Sequence, residues 1–268
     1  MASVSENGIM GRDNFQEFFI SWKDEQNHYL HDLITASRAS TPVALTDPSL
    51  CGLVDRAVAH YEEYYKTKTK WAKKDVLLLL SPPWNTPLED AFLWVGGWRP
   101  TTAFHLLYSK SGLQFEANLS DLVKGVKTGD LGDLSSDQLG LIDQLQRITI
   151  QEERKITEKV AKHQERVADM EMVELSHDLS ESTRIEGESD EAGRVDSILK
   201  PKEEGFQMIL QSADDLRMRT IKAVVNILSP IQAVHFLIAA AELQLRLHDW
   251  GKEKEEKQAN NINIQAAS

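Results

Sequence analysis

The chain has 268 residues, of which 41% are hydrophobic and 27% charged, and its formal net charge at pH 7 is −12. This composition allows a substantial hydrophobic core, and the acidic balance argues against a protein whose whole surface binds nucleic acid through phosphate neutralisation. One cysteine excludes an intramolecular disulfide, no signal peptide is visible, and the longest apolar runs fall far short of the ~20 residues of a membrane span, so we expect a soluble intracellular protein.

The first predicted element is a helix that begins near Asp13, and residues 1–11 before it are predicted to be disordered. Large residues recur in this helix at three- and four-residue spacing, which places them on one face. Four aromatic residues open the face: Phe15, Phe18, Phe19 and Trp22. Because rigid aromatic side chains are common anchors of interfaces, we interpret this face as a partner-binding surface. Packing into the core is the alternative, and one helix can do both with different edges.

The second helical region spans residues 48–80 and is predicted to be one long helix or two nearly collinear ones. Its start is marked by Asp47, which can cap free backbone N–H groups, and by Pro48, which fits the first helical turn. The longest basic cluster of the chain, KTKTKWAKK at 66–74, lies within this region. We interpret the cluster as a solvated helix face.

Residues 81–109 are predicted to form a short capped helix, a corner and a second helix. Thr86-Pro87-Leu88-Glu89 is a complete capping box with proline at the first helical position. The short helix is expected to run about two turns to Val95. It should end at Gly96-Gly97, because a left-handed helix exit favours glycine. The second helix is expected to start at Arg99-Pro100.

The same segment is rich in tryptophan. It contains Trp84, Trp94 and Trp98. We expect these side chains to supply the apolar mass that locks the corner onto the long helix before it. Arg99 is the one basic residue in this tryptophan-rich segment. Our preferred interpretation is that Arg99 forms a buried ion pair with Glu89 or Asp90. Anion or partner binding by Arg99 is the alternative.

The remainder of the chain also shows helical patterns. From 135 to about 179 the sequence predicts a long polar helix with a narrow apolar stripe. Residues 178–205 are acidic and poor in apolar residues, which predicts a flexible linker. Two final helices are predicted at 205–228 and 230–250, and residues 251–268 are predicted to be a disordered tail. Strand alternation is absent from the sequence, so we predict an all-α fold, a multi-helix bundle with long helices.

Motifs that would indicate catalysis are missing from the sequence. It has no phosphate-binding loop, HExxH, GxSxG or CxxC pair. We therefore expect a non-enzymatic protein with no bound metal and no cofactor. His235 and His248 of the last helix could ligate a haem from the side, but a buried, hydrogen-bonded histidine is the preferred interpretation of each.

Several motifs resemble those of the plant delay-of-germination (DOG) domain, which also forms the C-terminal half of TGA-type bZIP transcription factors. The most specific is LWVGGWRP, and shorter matches are FxxxWxxEQ at 18–26, AHYxxY at 59–64 and KDV at 74–76. The central signature consists of Trp84, Glu89, Trp94, Gly96, Gly97, Trp98, Arg99 and Pro100. The resemblance predicts one DOG domain over 12–250. Since no basic region or leucine zipper precedes it here, the chain is similar to the stand-alone branch of the family, and direct DNA binding is not expected.

The resemblance implies regulation through partner proteins. Stand-alone members act in seed dormancy and abscisic-acid responses, with relatives in pollen-aperture formation. The family implies binding to type 2C protein phosphatases, with the N-terminal helix, here Glu17–Trp22, taking part. A co-regulator that associates with bZIP transcription factors is the alternative. In that case the transcription regulation and sequence-specific DNA binding ascribed to the family belong to the bZIP partner. We expect a nuclear or cytoplasmic location, and self-association is a further alternative.

The family also implies haem binding at paired histidines near the end of the last helix. His248 fits the second position of the pair. Gln244 stands where the partner histidine would be expected, so haem is the less favoured expectation for this chain.

Overall fold

The computed structural model describes residues 6–39, 48–124, 128–182 and 191–266. Within these ranges the regular secondary structure is helical and contains no strand, which confirms the predicted all-α fold. In chain order the α-helices are α1 (Glu6–Ala39), α2 (Pro48–Ala72), α3 (Val76–Leu80), α4 (Pro87–Asp90), α5 (Thr102–Ala117), α6 (Leu119–Val123), α7 (Ser136–Glu165), α8 (Met170–Ser182), α9 (Glu191–Ile227) and α10 (Pro230–Ala266).

The bundle is organised around α2 and α10. Helix α10 packs against α1, α2 and α5, and α2 also packs against α9, which in turn lies against α7. The apolar sequence of α10 explains its central place, because Val234, Phe236 and Leu237 are buried in the main hydrophobic cluster. Full burial of such a side chain contributes about 1.5–3 kcal/mol. None of the described helices is both long enough and apolar enough to cross a membrane.

The helices at both ends of the chain extend beyond their predicted boundaries. Residues 6–11 belong to α1 and residues 251–266 belong to α10, so the structure has helix where the sequence predicted disorder. Gly251 was expected to end α10, but its role is a close contact. A β-carbon at this position would lie 2.1 Å from Oγ1 of Thr86.

The predicted acidic linker at 178–205 is largely replaced by helix. Helix α8 extends to Ser182 and α9 begins at Glu191, while residues 183–190 lie outside the described part of the chain. The predicted helix start at Gly205 was wrong because this glycine serves helix packing. A β-carbon there would lie 2.1 Å from the ring of His163 on α7.

Two long predicted helical regions are each divided by an aspartate that caps a new helix, and for residues 48–80 two helices were one of the two predicted alternatives. The helix predicted from 135 to 179 divides before α8, where Asp169 accepts from the Met172 N–H at 3.1 Å. The region from 48 to 80 divides before α3, where Asp75 accepts from the Leu78 N–H at 2.9 Å. Aspartate satisfies free N–H groups at a helix start, so these side chains favour a new helix over continuation.

The segment at 81–109 keeps the predicted order, but its first helix is a single turn. Helix α4 ends at Asp90 instead of Val95, and turns connect it to α5, which begins at Thr102. The left-handed residues are Val95, with φ of 47°, and Gly96, with φ of 64°. The predicted left-handed helix exit at Gly96-Gly97 was therefore wrong: Ala91 caps the end of α4 in the right-handed region, and the left-handed residues belong to the turn that follows.

Candidate functional site

The aromatic face of α1 points into the bundle. Its four predicted interface residues are buried or half-buried: Phe15, Phe18, Phe19 and Trp22. The rings of Phe15 and Trp84 have centroids 5.4 Å apart. Nε1–H of Trp22 donates to the carbonyl oxygen of His60 at 3.1 Å, which ties α1 to α2. In this structure core packing, the alternative interpretation, accounts for the face.

The outer edge of the same helix is open to solvent. Within Glu17–Trp22 the exposed residues are Glu17, Ile20 and Ser21, and Ile20 is 53% exposed. A partner could contact these side chains without displacing α1. Binding by the aromatic residues themselves would require α1 to leave the core, and it stays a prediction.

The signature corner is held by a buried arginine that the sequence analysis did not single out. Nε of Arg217, on α9, donates to the Trp98 carbonyl oxygen at 2.7 Å. Its Nη2 donates to the carbonyl oxygens of Val95, at 2.9 Å, and Trp94, and its Nη1 donates to Asp214. Gly97 is required for this approach, because a β-carbon there would lie 2.8 Å from Cζ of Arg217. One side chain therefore fixes the path of the corner.

A second buried cation completes this network. Nζ of Lys68, on α2, donates to the Gly96 carbonyl oxygen at 2.7 Å and to Asp214 at 3.0 Å. Burial lowers the pKa of Lys68 to about 8, although Asp214 acts in the opposite direction. The prediction that the basic cluster is solvated was therefore wrong for Lys68. A sequence signal did exist, because Asp214 and Arg217 share the apolar face of α9 with Ala213.

The three tryptophans of the corner pack on different helices. Trp84 lies against Phe15 of α1. Trp94 packs with α7 and α9, and its Nε1–H donates to Oγ1 of Thr157 at 3.1 Å. Trp98 donates through Nε1 to the hydroxyl of Tyr65 on α2 at 2.8 Å. The prediction that they lock the corner onto the preceding helical region is thus right for Trp98 and for Trp84, which also packs on the cluster of Ala72, Val76 and Leu79. Trp94 joins the corner to the rest of the bundle.

Arg99 pairs with a different acid from those expected. Its Nε lies 3.6 Å from Oε2 of Glu153 on α7, and its side chain is half-exposed. Glu153 also accepts from the N–H of Thr101 at 2.5 Å, just after the buried Pro100. The expected buried pair with Glu89 or Asp90 was wrong, because Glu89 is engaged elsewhere.

Glu89 joins the capping box to the last helix. Its carboxylate accepts from the N–H of Thr86 at 2.7 Å, as the capping box predicts. The same carboxylate lies 3.0 Å from Nδ1 of His248 on α10. Since an ionised carboxylate can only accept, Nδ1 carries the proton of this hydrogen bond. His248 therefore attaches α4 to α10, next to the contact of Gly251 with Thr86.

The histidines of α10 do not fit a shared haem. His235 and His248 are 13 residues apart, which is about 20 Å along a helix axis at ~1.5 Å per residue. His248 is buried against Glu89, and Nδ1 of His235 accepts from Nε2 of Gln114 at 3.2 Å. A cleft of about 560 Å³ between α1, α5 and α10 is lined by neither histidine. Among the described residues no group of three His, Cys, Asp or Glu side chains is placed to bind a metal ion.

His60 is a second buried histidine, to which the sequence analysis gave no role beyond its place in the AHYxxY motif. Its ring stacks on Trp22 at 4.7 Å between centroids, and Nε2 has no hydrogen-bond partner among the described residues. Nδ1 lies 3.5 Å from Glu25. Burial lowers the pKa of His60 below its usual 6.5, and the Glu25 carboxylate offsets part of this effect.

We expect His60 to make the protein less stable in mild acid. Below about pH 6.5 the unfolded chain protonates this histidine more readily than the folded chain, so the free energy of unfolding falls as pH decreases. Thermal unfolding of His60→Phe, which keeps an aromatic ring on Trp22, should show a shallower decline of Tm between about pH 7 and pH 5. His235, whose pKa burial also lowers, remains in both proteins and contributes a residual slope. Equal slopes in the two proteins would contradict this assignment.

Comparison with known proteins places these features in a family. A family model named DOG1, described as seed dormancy control, matches residues 29–109. Protein DOG1-like 3 of Arabidopsis thaliana is 30% identical over 259 residues, which cover 93% of this chain and 88% of that protein. Protein DOG1-like 2 of the same plant is 32% identical over 238 residues, which cover 86% and 87%. Transcription factor TGA2.3 of Oryza sativa subsp. japonica is 29% identical over 245 residues, which cover 91% of this chain and 65% of the factor.

The aligned regions include both the signature corner and most of the helical bundle. The similarity to the DOG1-like proteins extends over most of both chains, whereas the similarity to TGA factors is more distant and concerns their C-terminal region. The chain therefore belongs to the DOG1 family of plant proteins.

Proposed function

We propose that this protein is a non-enzymatic plant regulator that acts by binding partner proteins in the nucleus or the cytoplasm. The partners are type 2C protein phosphatases of abscisic-acid signalling, and the process is seed dormancy. The observation that carries the proposal is the similarity to DOG1-like proteins over most of the chain. The geometry of the signature corner supports the non-enzymatic part of the proposal, because the polar groups of Arg217, Lys68 and Glu89 make structural hydrogen bonds.

The surface that we propose for phosphatase binding is the outer edge of α1. Its exposed Ile20 stands between the polar residues Glu17 and Ser21, so an apolar anchor is available without unfolding. We expect Ile20→Asp to weaken co-precipitation with a panel of purified type 2C phosphatases at least about tenfold, since a buried charge opposes an apolar contact. The measurement is a quantitative pull-down with the full chain.

The matched control is Ile148→Asp, which changes an isoleucine of similar exposure on α7. It should leave phosphatase binding unchanged. Equal loss in both variants, or no loss in Ile20→Asp, would remove the outer edge of α1 as the contact. No binding of the wild-type chain to any member of the panel would contradict the phosphatase proposal itself.

The similarity to TGA2.3 favours a second candidate, a transcriptional co-regulator that joins DNA-bound bZIP factors. A gel-shift assay separates it from direct DNA binding. A co-regulator changes the mobility of DNA only when a TGA-type bZIP factor is present. A shift caused by the chain alone would overturn this candidate.

A further inference from the structure

The end of α2 carries a positive surface on an acidic protein. The exposed lysines of the basic cluster are Lys66, Lys70, Lys73 and Lys74. Lys66 and Lys70 are four residues apart and share one helix face. Lys73 and Lys74 follow in the turn after α2, where the Lys74 N–H donates to the Trp71 carbonyl oxygen at 2.8 Å. The stretch from 64 to 74 contains no acidic residue.

Most of this charge is left without an internal counter-charge. In the described part of the chain, no carboxylate lies within ion-pair distance of Lys70, Lys73 or Lys74, while Lys66 lies 3.9 Å from Glu62. The next acid in the sequence, Asp75, uses its carboxylate to cap α3. The end of α2 favours nearby cations through the helix dipole, but this effect neutralises no full charge.

Apolar groups stand beside the lysines. Nζ of Lys74 lies 4.2 Å from the ring centroid of the half-buried Trp71. Leu77, in the first turn of α3, is 50% exposed. Leu77 follows Lys74 by three residues, so an exposed apolar side chain accompanies the exposed lysines in the sequence. We call Lys66, Lys70, Lys73, Lys74 and Leu77 together the lysine surface.

We propose that the lysine surface binds an acidic segment of a partner protein that also presents an apolar side chain to Leu77. The argument is charge complementarity, since ammonium groups without internal counter-charges attract carboxylates and steer their approach. A short acidic segment interacts mainly with the lysines of this surface, because electrostatic interactions are screened beyond about 8–10 Å at moderate salt. An extended nucleic acid would also approach the rest of the chain, whose net charge of −12 repels its phosphates. The inference rests on the proposed partner-binding function and adds the chemistry of one partner segment.

The test uses the full chain and synthetic probes whose binding is followed by fluorescence anisotropy. The main probe is a labelled amphipathic peptide with glutamate on one face and leucine on the other. A second peptide replaces leucine by serine, and a third probe is a labelled DNA duplex. Each is titrated at low and at moderate salt, because binding through charge weakens as salt rises.

The decisive variant is K70E/K73E/K74E. Its matched control is K155E/K159E/K162E, which makes the same change in net charge at exposed positions of α7. All six side chains are exposed, and each triple variant places glutamate in the last turn of a helix, so we expect small and similar losses of stability in the two variants. Leu77→Ser tests the apolar component.

We expect salt-dependent binding of the amphipathic peptide that falls at least about tenfold in K70E/K73E/K74E and by less than about twofold in the α7 control. Leu77→Ser and the serine peptide should each weaken binding severalfold. Three results would overturn the inference: no peptide binding at low salt, equal losses in the two triple variants, or tighter binding of the DNA duplex than of the peptide. A wild-type dimer in sedimentation velocity that K70E/K73E/K74E dissociates would also overturn it, by identifying the occupant as a second copy.

These probes contain no phosphatase or bZIP factor, so the outcome is independent of the pull-down described above. If the peptides do not bind but the phosphatases do, only the proposal of the lysine surface is wrong. If the phosphatases do not bind but the peptides do, the phosphatase proposal is wrong and the proposal of the lysine surface stands.

Discussion

Arg217→Ala is expected to destabilise the protein by about 3–5 kcal/mol, because removal of one partner from a buried ionic network leaves the other groups uncompensated. Asp214 would keep Lys68 as its partner in this network, the Trp98 carbonyl oxygen would lose the Arg217 donor, and the Trp94 carbonyl oxygen would keep only the Gly97 N–H, at 3.2 Å. For a chain of this size the loss corresponds to a fall in Tm on the order of 10 °C. Thermal unfolding followed by far-UV circular dichroism measures it.

The matched control is Arg219→Ala, two residues further along α9. Arg219 is exposed and pairs with the half-exposed Glu152 at 2.5 Å. Surface ion pairs of this kind contribute at most about 1 kcal/mol. Tm values for the two variants that agree within error would show that Arg217 does not hold the corner. A near-UV spectrum provides a second measurement, since only Arg217→Ala should change the environment of Trp94.

Trp22→Ala should cost about as much, some 3–5 kcal/mol, because it opens a cavity in the core and removes the stacking on His60. Trp22 is 4% exposed and belongs to the main hydrophobic cluster. Chemical denaturation gives the free energy of unfolding directly, with Trp250→Ala as the control. Trp250 is 52% exposed near the end of the same bundle, and its loss should cost less than about 1 kcal/mol. Comparable midpoints for the two variants would contradict the buried position of Trp22.

This prediction also changes how partner binding through α1 is best tested. Loss of phosphatase binding in Trp22→Ala would follow from damage to the fold as readily as from loss of a contact. Ile20→Asp avoids this ambiguity, because Ile20 is exposed on the outer edge of α1 and its replacement leaves the core packing of the helix unchanged. The sequence pattern alone favours the aromatic side, since helical periodicity identifies a face without saying which way it points.

The elements whose stabilising contacts are local were predictable from the sequence. Thr86 and Glu89 form the predicted capping box, with the Glu89 N–H donating to Oγ1 of Thr86 at 3.3 Å. Ser229 and Gln232 form another at the start of α10, where the Ser229 N–H donates to the Gln232 amide oxygen at 2.9 Å. Such contacts span three residues, so the residue types and their spacing are sufficient to predict them.

By itself, therefore, the sequence determined the helical class, the capped turn at Thr86 and the membership of a family through the LWVGGWRP block. Tertiary structure decided which acid Arg99 meets, which way the aromatic face of α1 points, and that Arg217 holds the corner. Arg217 is 119 residues from Trp98 in the chain, and no local pattern encodes a contact at that separation. Tertiary contacts also decided the helix boundaries, because Gly205 and Gly251 lie inside helices and allow close contacts with His163 and Thr86 instead of forming turns. Local hydrogen bonds set where a helix starts, and burial against distant elements sets where it continues and what it presents to solvent.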